Sequence, residues 1–269
     1  MGGAPSAYGV GVDESPRGLD LGRLIDQVDL DEDGDLHQLR QDFTRFMMRY
    51  RFGMDEIVTK LSILRDEYAH LHDENPIENI SSRLKRPESI VEKMQRKGTA
   101  ATFESIQETI TDIAGVRVVC SFVSDVRRVF DQLCGQADIT VRDVRDYIEA
   151  PKPNGYRSLH ALIEVPVFLT DGAAPVLVEV QMRTIAMDFW ASTEHKIYYK
   201  YREDVPESLL DGLKEAAESA AMLDHRMQEL HTEMKTAGAL PAALERELQT
   251  GDALVPDETF LRRLHQLGD

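Results

Sequence analysis

Two cysteines in 269 residues, Cys120 inside an apolar run and Cys134 near a helical one, leave no disulfide framework and no zinc ligand set. A reduced, cytoplasmic protein is the expectation. No apolar run approaches the ~20 residues that a membrane-spanning helix needs, so no membrane association is expected. The N-terminus, Met1-Gly2-Gly3-Ala4-Pro5-Ser6, has neither a basic start nor an apolar stretch, and a secretory leader is not expected. There is a single tryptophan, and no internal repeat. A hydrophobic content of 42% is nevertheless enough to bury one large or two small cores.

Basic residues are also in deficit, with a formal net charge of -17. Taken as a whole, that charge argues against phosphate-rich partners. Its distribution points the other way. Residues 1–35 hold nine acids and two bases, and residues 203–269 hold fifteen acids and six bases. The middle, 36–202, is nearly balanced with 24 acids and 23 bases, and its bases are clustered.

Residues 1–37 read as a flexible acidic extension. Within it, Asp29-Leu30-Asp31-Glu32-Asp33-Gly34-Asp35 imitates an EF-hand opening, but Arg40 stands where the bidentate glutamate is required, so calcium is excluded. Residues 38–74 carry a helical stripe in which Met47, Met54, Leu61 and Tyr68 alternate with Tyr50, Ile57, Leu64 and Leu71. Residues 207–235 carry a second, with Leu213, Ala220, Met227 and Met234 alternating with Ala216, Leu223 and Leu230. Such stripes pack on a protein's own core or build an oligomer interface. Between them, Gly115–Phe122, Ile139–Tyr147, Ser158–Val167 and Pro175–Arg183 read as strands, and Asp125–Cys134 and Ile185–Lys200 as helices. A further helix of about ten residues starts near Pro87. Alternation of strands and helices gives an α/β domain.

Five segments carry chemistry. On a strand over Glu179-Val180-Gln181-Met182-Arg183-Thr184, Val180 and Met182 share one side, and Glu179, Gln181 and Arg183 the other. A carboxylate, an amide and a guanidinium in a row suit a cation and phosphates; a solvated strand face is equally consistent with this segment alone. In the segment from Arg83 to Lys97, Pro87 suits the first helical position, and Ser89, Lys93 and Arg96 lie on one face as a phosphate track or a solvated basic stripe. Ile90, Val91 and Met94 are placed toward the core. In Thr111-Asp112-Ile113-Ala114-Gly115-Val116-Arg117, Asp112 stands just before an apolar strand, and Arg117 puts a charge on a buried one, where it requires a partner.

The loop from Arg145 to His160 has two prolines and Asn-Gly, then Tyr156 flanked by bases. Tyr156 offers a flat face for a base, and Lys152 and Arg145 offer charge for phosphates, although a hairpin turn would explain the same residues. After Thr184, a helix cap, Asp188 and His195 share a helical face, while Phe189 and Trp190 are assigned to the core. A carboxylate there can accept both donors on one edge of guanine.

In this order, the motifs R-x-K-x-x-x-S-x-x-x-K, D-I-A-G-V-R, G-Y-R-S-L-H and E-V-Q-x-R-T resemble the small alarmone synthetases, the synthetase-only branch of the RelA/SpoT family. The resemblance is detailed over residues 75–202. It implies a nucleotidyltransferase-like synthetase fold, with a mixed β-sheet of about five strands surrounded by helices and long flanking N- and C-terminal helices. It implies transfer of the β,γ-pyrophosphate of ATP to the 3′-hydroxyl of GDP or GTP with Mg²⁺, releasing AMP.

Carried over by residue, the resemblance puts the adenine between Arg83 and Arg117. Lys85, Ser89, Lys93 and Arg96 then hold the ATP phosphates. Asp112 and Glu179 hold the Mg²⁺, with Glu179 also placed as the base. Tyr156 stacks on guanine and Asp188 reads its edge. Arg145, Lys152, Gln181, Arg183 and His195 match positions near the acceptor phosphates or ribose. The resemblance further implies a homotetramer, and leaves open regulation by alarmone or single-stranded RNA and the choice between GDP and GTP.

The expected organisation is an acidic extension over 1–37, a synthetase domain with its oligomerisation helices over 38–235, and a helical extension over 236–269. His72-Asp73 is the one His-Asp pair of the kind that a metal-dependent alarmone hydrolase uses, so no hydrolysis is expected. Two other readings stand beside this one: a catalytically weak alarmone- or RNA-binding module of the same fold, and nucleotidyl transfer releasing pyrophosphate.

Overall fold

The computed structural model describes residues 33–72, 74–100, 102–201 and 206–236, together with Leu261 and His265. Most of the acidic extension, residues 29–32 of the EF-hand-like run, Asp73, and nearly all of the C-terminal extension lie outside the described residues. The chain divides into two compact units: Met1–Phe46 with Arg86–Ile110, and Met47–Lys85 with Thr111–Asp269. Helix α1 (Asp33–Leu71) contributes to both along its length.

The first unit contains α2 (Pro87–Lys97) and α3 (Phe103–Thr109). Pro87 opens α2 without cost, because the first helical amide has no partner within the helix. Gly98 ends it in the left-handed region at φ 63, with backbone bonds returning to Gln95 and Met94. Ile90 and Met94 are buried, but Val91 is exposed, contrary to its expected core position: successive helical positions diverge by about 100° and cannot share one narrow face. The sequence pattern passes over α3, a helix of 7 residues that is too short to show a period. Thr102 caps it by accepting the Ser105 amide, and the Phe103 ring packs 5.0 Å from that of Phe46.

The second unit is built on a five-stranded mixed sheet in the order β1-β2-β5-β4-β3. Its strands are β1 (Ile77–Leu84), β2 (Ala114–Cys120), β3 (Thr140–Asp146), β4 (Leu159–Leu169) and β5 (Gly172–Thr184). The β2–β5 pair is parallel and the other pairs are antiparallel. Four strands fall where the sequence predicts them. The fifth, β1, is an edge strand with mostly polar side chains, and so lacks the apolar signature of the others. Val178, Val180 and Met182 on β5 are buried with Val116 and Val118 on β2, while the odd-numbered residues of β5 take the other face.

Helices α4 (Val123–Cys134), α5 (Ile185–Tyr201) and α6 (Glu207–Thr236) complete the unit. Met47, Tyr50, Met54, Ile57, Leu61 and Tyr68 are all buried, so this part of the α1 stripe packs on the unit's own core; Leu71, at the helix end, is exposed. The α6 stripe differs: Leu213 is buried, whereas Leu223, Met227, Leu230 and Met234 are exposed. Phe189 is also exposed, against its expected core role, and Trp190 alone of the pair is buried, donating its indole N–H to the Leu213 carbonyl at 2.8 Å. Both thiols are free; burial pushes Cys120 up to about 12 and Cys134 up to about 11, so neither supplies a thiolate at neutral pH.

Gly155 is fixed by two constraints. Its φ is 88, and a Cβ there would lie 2.5 Å from the Ala217 Cβ on α6. Replacement by alanine therefore strains the backbone and forces the loop off the helix. Gly155→Ala is expected to cost about 1–3 kcal/mol of stability, read as a lowered denaturation midpoint; an unchanged midpoint contradicts this packing.

Candidate active site

Sheet register assembles the site. One row across the strands reads Ser81, Arg117, Gln181, His160 and Arg145, and a second reads Arg83, Gly115 and Glu179. Residues in register share a face, and that face floors a cleft of about 700 Å³. Arg83, Asp112, Arg117, Lys152 and Tyr156 line it, as do Glu179, Gln181, Arg183 and His195.

Arg183 is the most constrained of these. It is buried, and its guanidinium spreads across three acceptors: Asp188 Oδ1 at 3.1 Å, the Tyr156 hydroxyl at 2.7 Å and Gln181 Oε1 at 2.8 Å. Its Nε is buried with no hydrogen-bond partner among the described residues. Gln181, oriented by the arginine, donates through Nε2 to Glu179 Oε2 at 2.9 Å. His160 closes the circuit, with Nε2 2.7 Å from the Tyr156 hydroxyl and Nδ1 3.6 Å from Glu179 Oε1. A tautomer consistent with this network has the Tyr156 proton on the side of His160 Nε2 and the ring's own proton on Nδ1, facing Glu179.

The carboxylates divide by partner. Lys85 Nζ lies 2.8 Å from Asp112 Oδ2, so the lysine expected on phosphate here neutralises the acid at the start of β2. Asp188 Oδ1 receives both Arg117 at 3.2 Å and Arg183 at 3.1 Å, which is how the arginine on the buried strand is paired. Burial pushes the Glu179 carboxyl up, but the adjacent His160 ring and the Gln181 amide overcome it and hold the group below its ordinary range. The negative charge of Asp112 opposes that fall, which places the two carboxylates within electrostatic reach of each other. Both carboxylates line the cleft, and two oxygen-donor side chains suit a hard divalent cation.

Tyr156 is held edge-on to His160, with Lys152 Nζ 4.7 Å from its ring centroid and Arg183 5.2 Å away. The flat face expected to receive a base is lined by cations. Lys152 also lies 4.8 Å from the Tyr147 ring. Asn154 donates to Glu194 at 3.2 Å and pins the loop to α5.

Not every expected residue joins this cluster. Arg145 occupies the right register, but it turns to Asp143 at 2.9 Å and does not line the cleft. Ser89, Lys93 and Arg96 lie on α2, in the other unit. Two contributors went unassigned in the sequence. His160 follows the G-Y-R-S-L run, and its alternation with buried Leu159 and Ala161 on β4 is the signal that could have found it. Glu194 left no signal beyond sharing a helix with Asp188.

Comparison with known proteins gives the family. Residues 82–204 match the model described as a region found in RelA / SpoT proteins. The chain is 52% identical to the GTP pyrophosphokinase YwaC of Bacillus subtilis over 193 residues, covering 72% of this chain and 92% of that protein. It is 42% identical to the GTP pyrophosphokinase YjbM of the same organism, over 72% of this chain and 91% of that protein. Among solved structures, small alarmone synthetase 2 of B. subtilis superposes with a TM-score of 0.66 at 50% identity, covering 71% of this chain and 99% of that one. Small alarmone synthetase 1 of B. subtilis, bound to its product pppGpp, gives a TM-score of 0.67 at 40% identity, over 72% and 98% of the respective chains. The chain belongs to the RelA/SpoT family, in its small alarmone synthetase branch.

The lowered pKa of Glu179 sets a pH dependence. A carboxyl depressed in the folded state contributes stability that is fully present above its ordinary range, near 4.5, and is lost as pH falls through the folded value. The stability difference between wild type and Glu179→Gln is expected to be greatest near neutral pH and to shrink on acidification below that range. Urea titrations at a series of pH values read it; a constant difference contradicts the assigned network.

Proposed function

We propose that this chain is a GTP pyrophosphokinase that makes (p)ppGpp by moving the β,γ-pyrophosphate of ATP onto the 3′-hydroxyl of GDP or GTP. The observation that carries the reading is that Asp112 and Glu179 line one cleft together with Arg83, Arg117, Arg183, Lys152 and Tyr156. Two relatives that share this family carry that activity in their names, and one solved neighbour is bound to pppGpp and another to AMPCPP.

In the proposed reaction the 3′-oxygen of the acceptor attacks the β-phosphorus of ATP. A new O–P bond forms, the bond from that phosphorus to the bridging oxygen of the α-phosphate breaks, and AMP leaves with that oxygen. The hydroxyl proton goes to Glu179, which its neighbours keep ionised. Arg83 and Arg117 flank the adenine. Ser89, Lys93, Arg96 and Lys85 take phosphate oxygens, with Lys85 already beside the site on Asp112. Tyr156 stacks on guanine after Lys152 moves off its face, and Asp188 accepts the donors of the guanine edge. Gln181, Arg183 and His195 line the acceptor side, and Arg145 reaches the acceptor phosphates by leaving Asp143. Asp112 and Glu179 would hold a Mg²⁺ ion, which when bound neutralises charge on the transferring phosphates.

The exposed apolar residues of α6 support assembly, and a homotetramer is the proposed state. Among the described residues no helix is long and apolar enough to cross a membrane, in keeping with a cytoplasmic site of action. Alarmone hydrolysis is not part of the proposal: the His72 ring, just after α1, lies tilted against Tyr68 with the centroids 4.8 Å apart.

Purified protein incubated with labelled ATP, GDP or GTP and Mg²⁺ should yield (p)ppGpp and AMP. Free pyrophosphate as the by-product overturns the reading in favour of nucleotidyl transfer, and nucleotide or RNA binding without product favours a binding module. Asp112→Ala and Glu179→Ala are each expected to lower turnover by at least about a hundredfold with the fold retained by circular dichroism. Retained turnover in either variant removes that residue from the site. Light scattering at micromolar concentration should report four chains, and a monomer contradicts the assembly. Adding product or single-stranded RNA to the same assay shows whether either regulates the enzyme, and comparing acceptors gives the GDP or GTP preference.

A further inference from the structure

We propose that Asp224 on α6 is a positioning residue for the acceptor nucleotide, acting through the Thr184 hydroxyl; this rests on reading the cleft as the acceptor site. Asp224 is 9% exposed, and its Oδ2 lies 2.7 Å from Oγ1 of Thr184, which is fully buried. A hydroxyl has one proton, so once Thr184 donates it to Asp224, its lone pairs must face another donor. They face the Met187 amide at 3.2 Å, in the first turn of α5, which makes Thr184 the helix cap.

Arg183 immediately precedes that cap, and Asp188 immediately follows the amide it binds. The carboxylate therefore fixes the hydroxyl, the hydroxyl fixes the start of the helix, and the helix start fixes the carboxylate and guanidinium assigned to the acceptor. Thr184 can cap a helix without help. Asp224 adds a unique orientation of the hydroxyl and ties it to a separate helix.

The rest of α6 points the same way. Leu213, Ala217 and Asp224 share a helical face. The Leu213 carbonyl receives the Trp190 indole, Ala217 closes against Gly155, and the Tyr156 ring packs on the cluster of Trp190, Ala191 and Ala217. The positive charge of Arg157, next to Tyr156 in sequence, also acts on Asp224. Packing alone would be served by an apolar side chain, because a buried carboxylate carries a desolvation cost. Here that cost falls on the one α6 residue that hydrogen-bonds the junction between β5 and α5. On the donor side, Lys85 and Asp112 pair with each other across the β1–β2 end of the cleft, and Arg117 alone among the described residues assigned to ATP reaches Asp188, at 3.2 Å. The effect of Asp224 should accordingly fall more heavily on the acceptor than on ATP.

The test is calorimetric titration of GDP, IDP and a non-hydrolysable ATP analogue into wild type, Asp224→Ala, Thr184→Val, the double variant and Thr184→Ser. The two single variants should each weaken GDP binding roughly tenfold, with a smaller preference for GDP over IDP. The double variant should be no weaker than the worse single one, because the two residues act as a unit. Thr184→Ser should bind GDP within about twofold of wild type, and the ATP analogue should be weakened less than GDP throughout. GDP affinity unchanged in both single variants overturns the proposal, as does equal weakening of GDP and the analogue, or simple additivity. If Asp224→Ala does not fold, Asp224→Asn with Thr184→Val decides by the same comparison. Because binding is read without turnover, a wild type that binds GDP but makes no alarmone refutes the proposed activity and leaves this inference to be judged on the affinity ratios.

Discussion

A guanidinium withdrawn from water at the end of a β-strand must have every N–H directed at an acceptor or incur a large desolvation cost. Arg183 is in that position, and its solution recruits one group from each neighbouring element: Gln181 from its own strand, Tyr156 from the loop before β4, and Asp188 from α5. Each partner is then unable to wander. Gln181 is turned so that its amide N–H meets Glu179, and the Tyr156 hydroxyl is set against His160. The wall of the cleft is thus one connected network. Preorganised polar groups of this kind act on developing charge without rearranging at the moment of reaction.

The same network balances the charges of the site. Its acids and bases neutralise each other, Lys85 on Asp112 and two arginines on Asp188. Nucleotide phosphates would exchange these internal pairs for equivalent external ones. Cations now gathered about Tyr156 would likewise be drawn to phosphate, uncovering the ring for stacking. The one buried donor of this network with no partner among the described residues, Arg183 Nε, is a further group such an exchange could satisfy.

Much of this was legible in the sequence, for a physical reason. The apolar side chains of β5 share one face, so strict alternation separates Val178, Val180 and Met182 from Glu179, Gln181 and Arg183. Arg117 stood out because a charge on an apolar strand demands a partner. What stayed hidden depends on pairing between distant segments. Lys85 reaches Asp112, 27 residues on, only because β1 and β2 run antiparallel, and β1 is a polar edge strand with no hydrophobic signature. Arg145 shares the catalytic row by register and still turns to its neighbour Asp143, a rotamer choice that no pattern encodes. Phe189 and Val91 were placed in the core on apolarity, yet lie exposed, since neither falls on the face its helix buries.

Above all, the buried Arg183 organises the side of the cleft proposed to take the acceptor. Lysine keeps the charge but cannot fork to three acceptors. Calorimetric titration of GDP into Arg183→Lys, beside a non-hydrolysable ATP analogue, tests this most directly. GDP binding should weaken by at least about tenfold, and the analogue by clearly less. GDP affinity equal to wild type would contradict that role for Arg183.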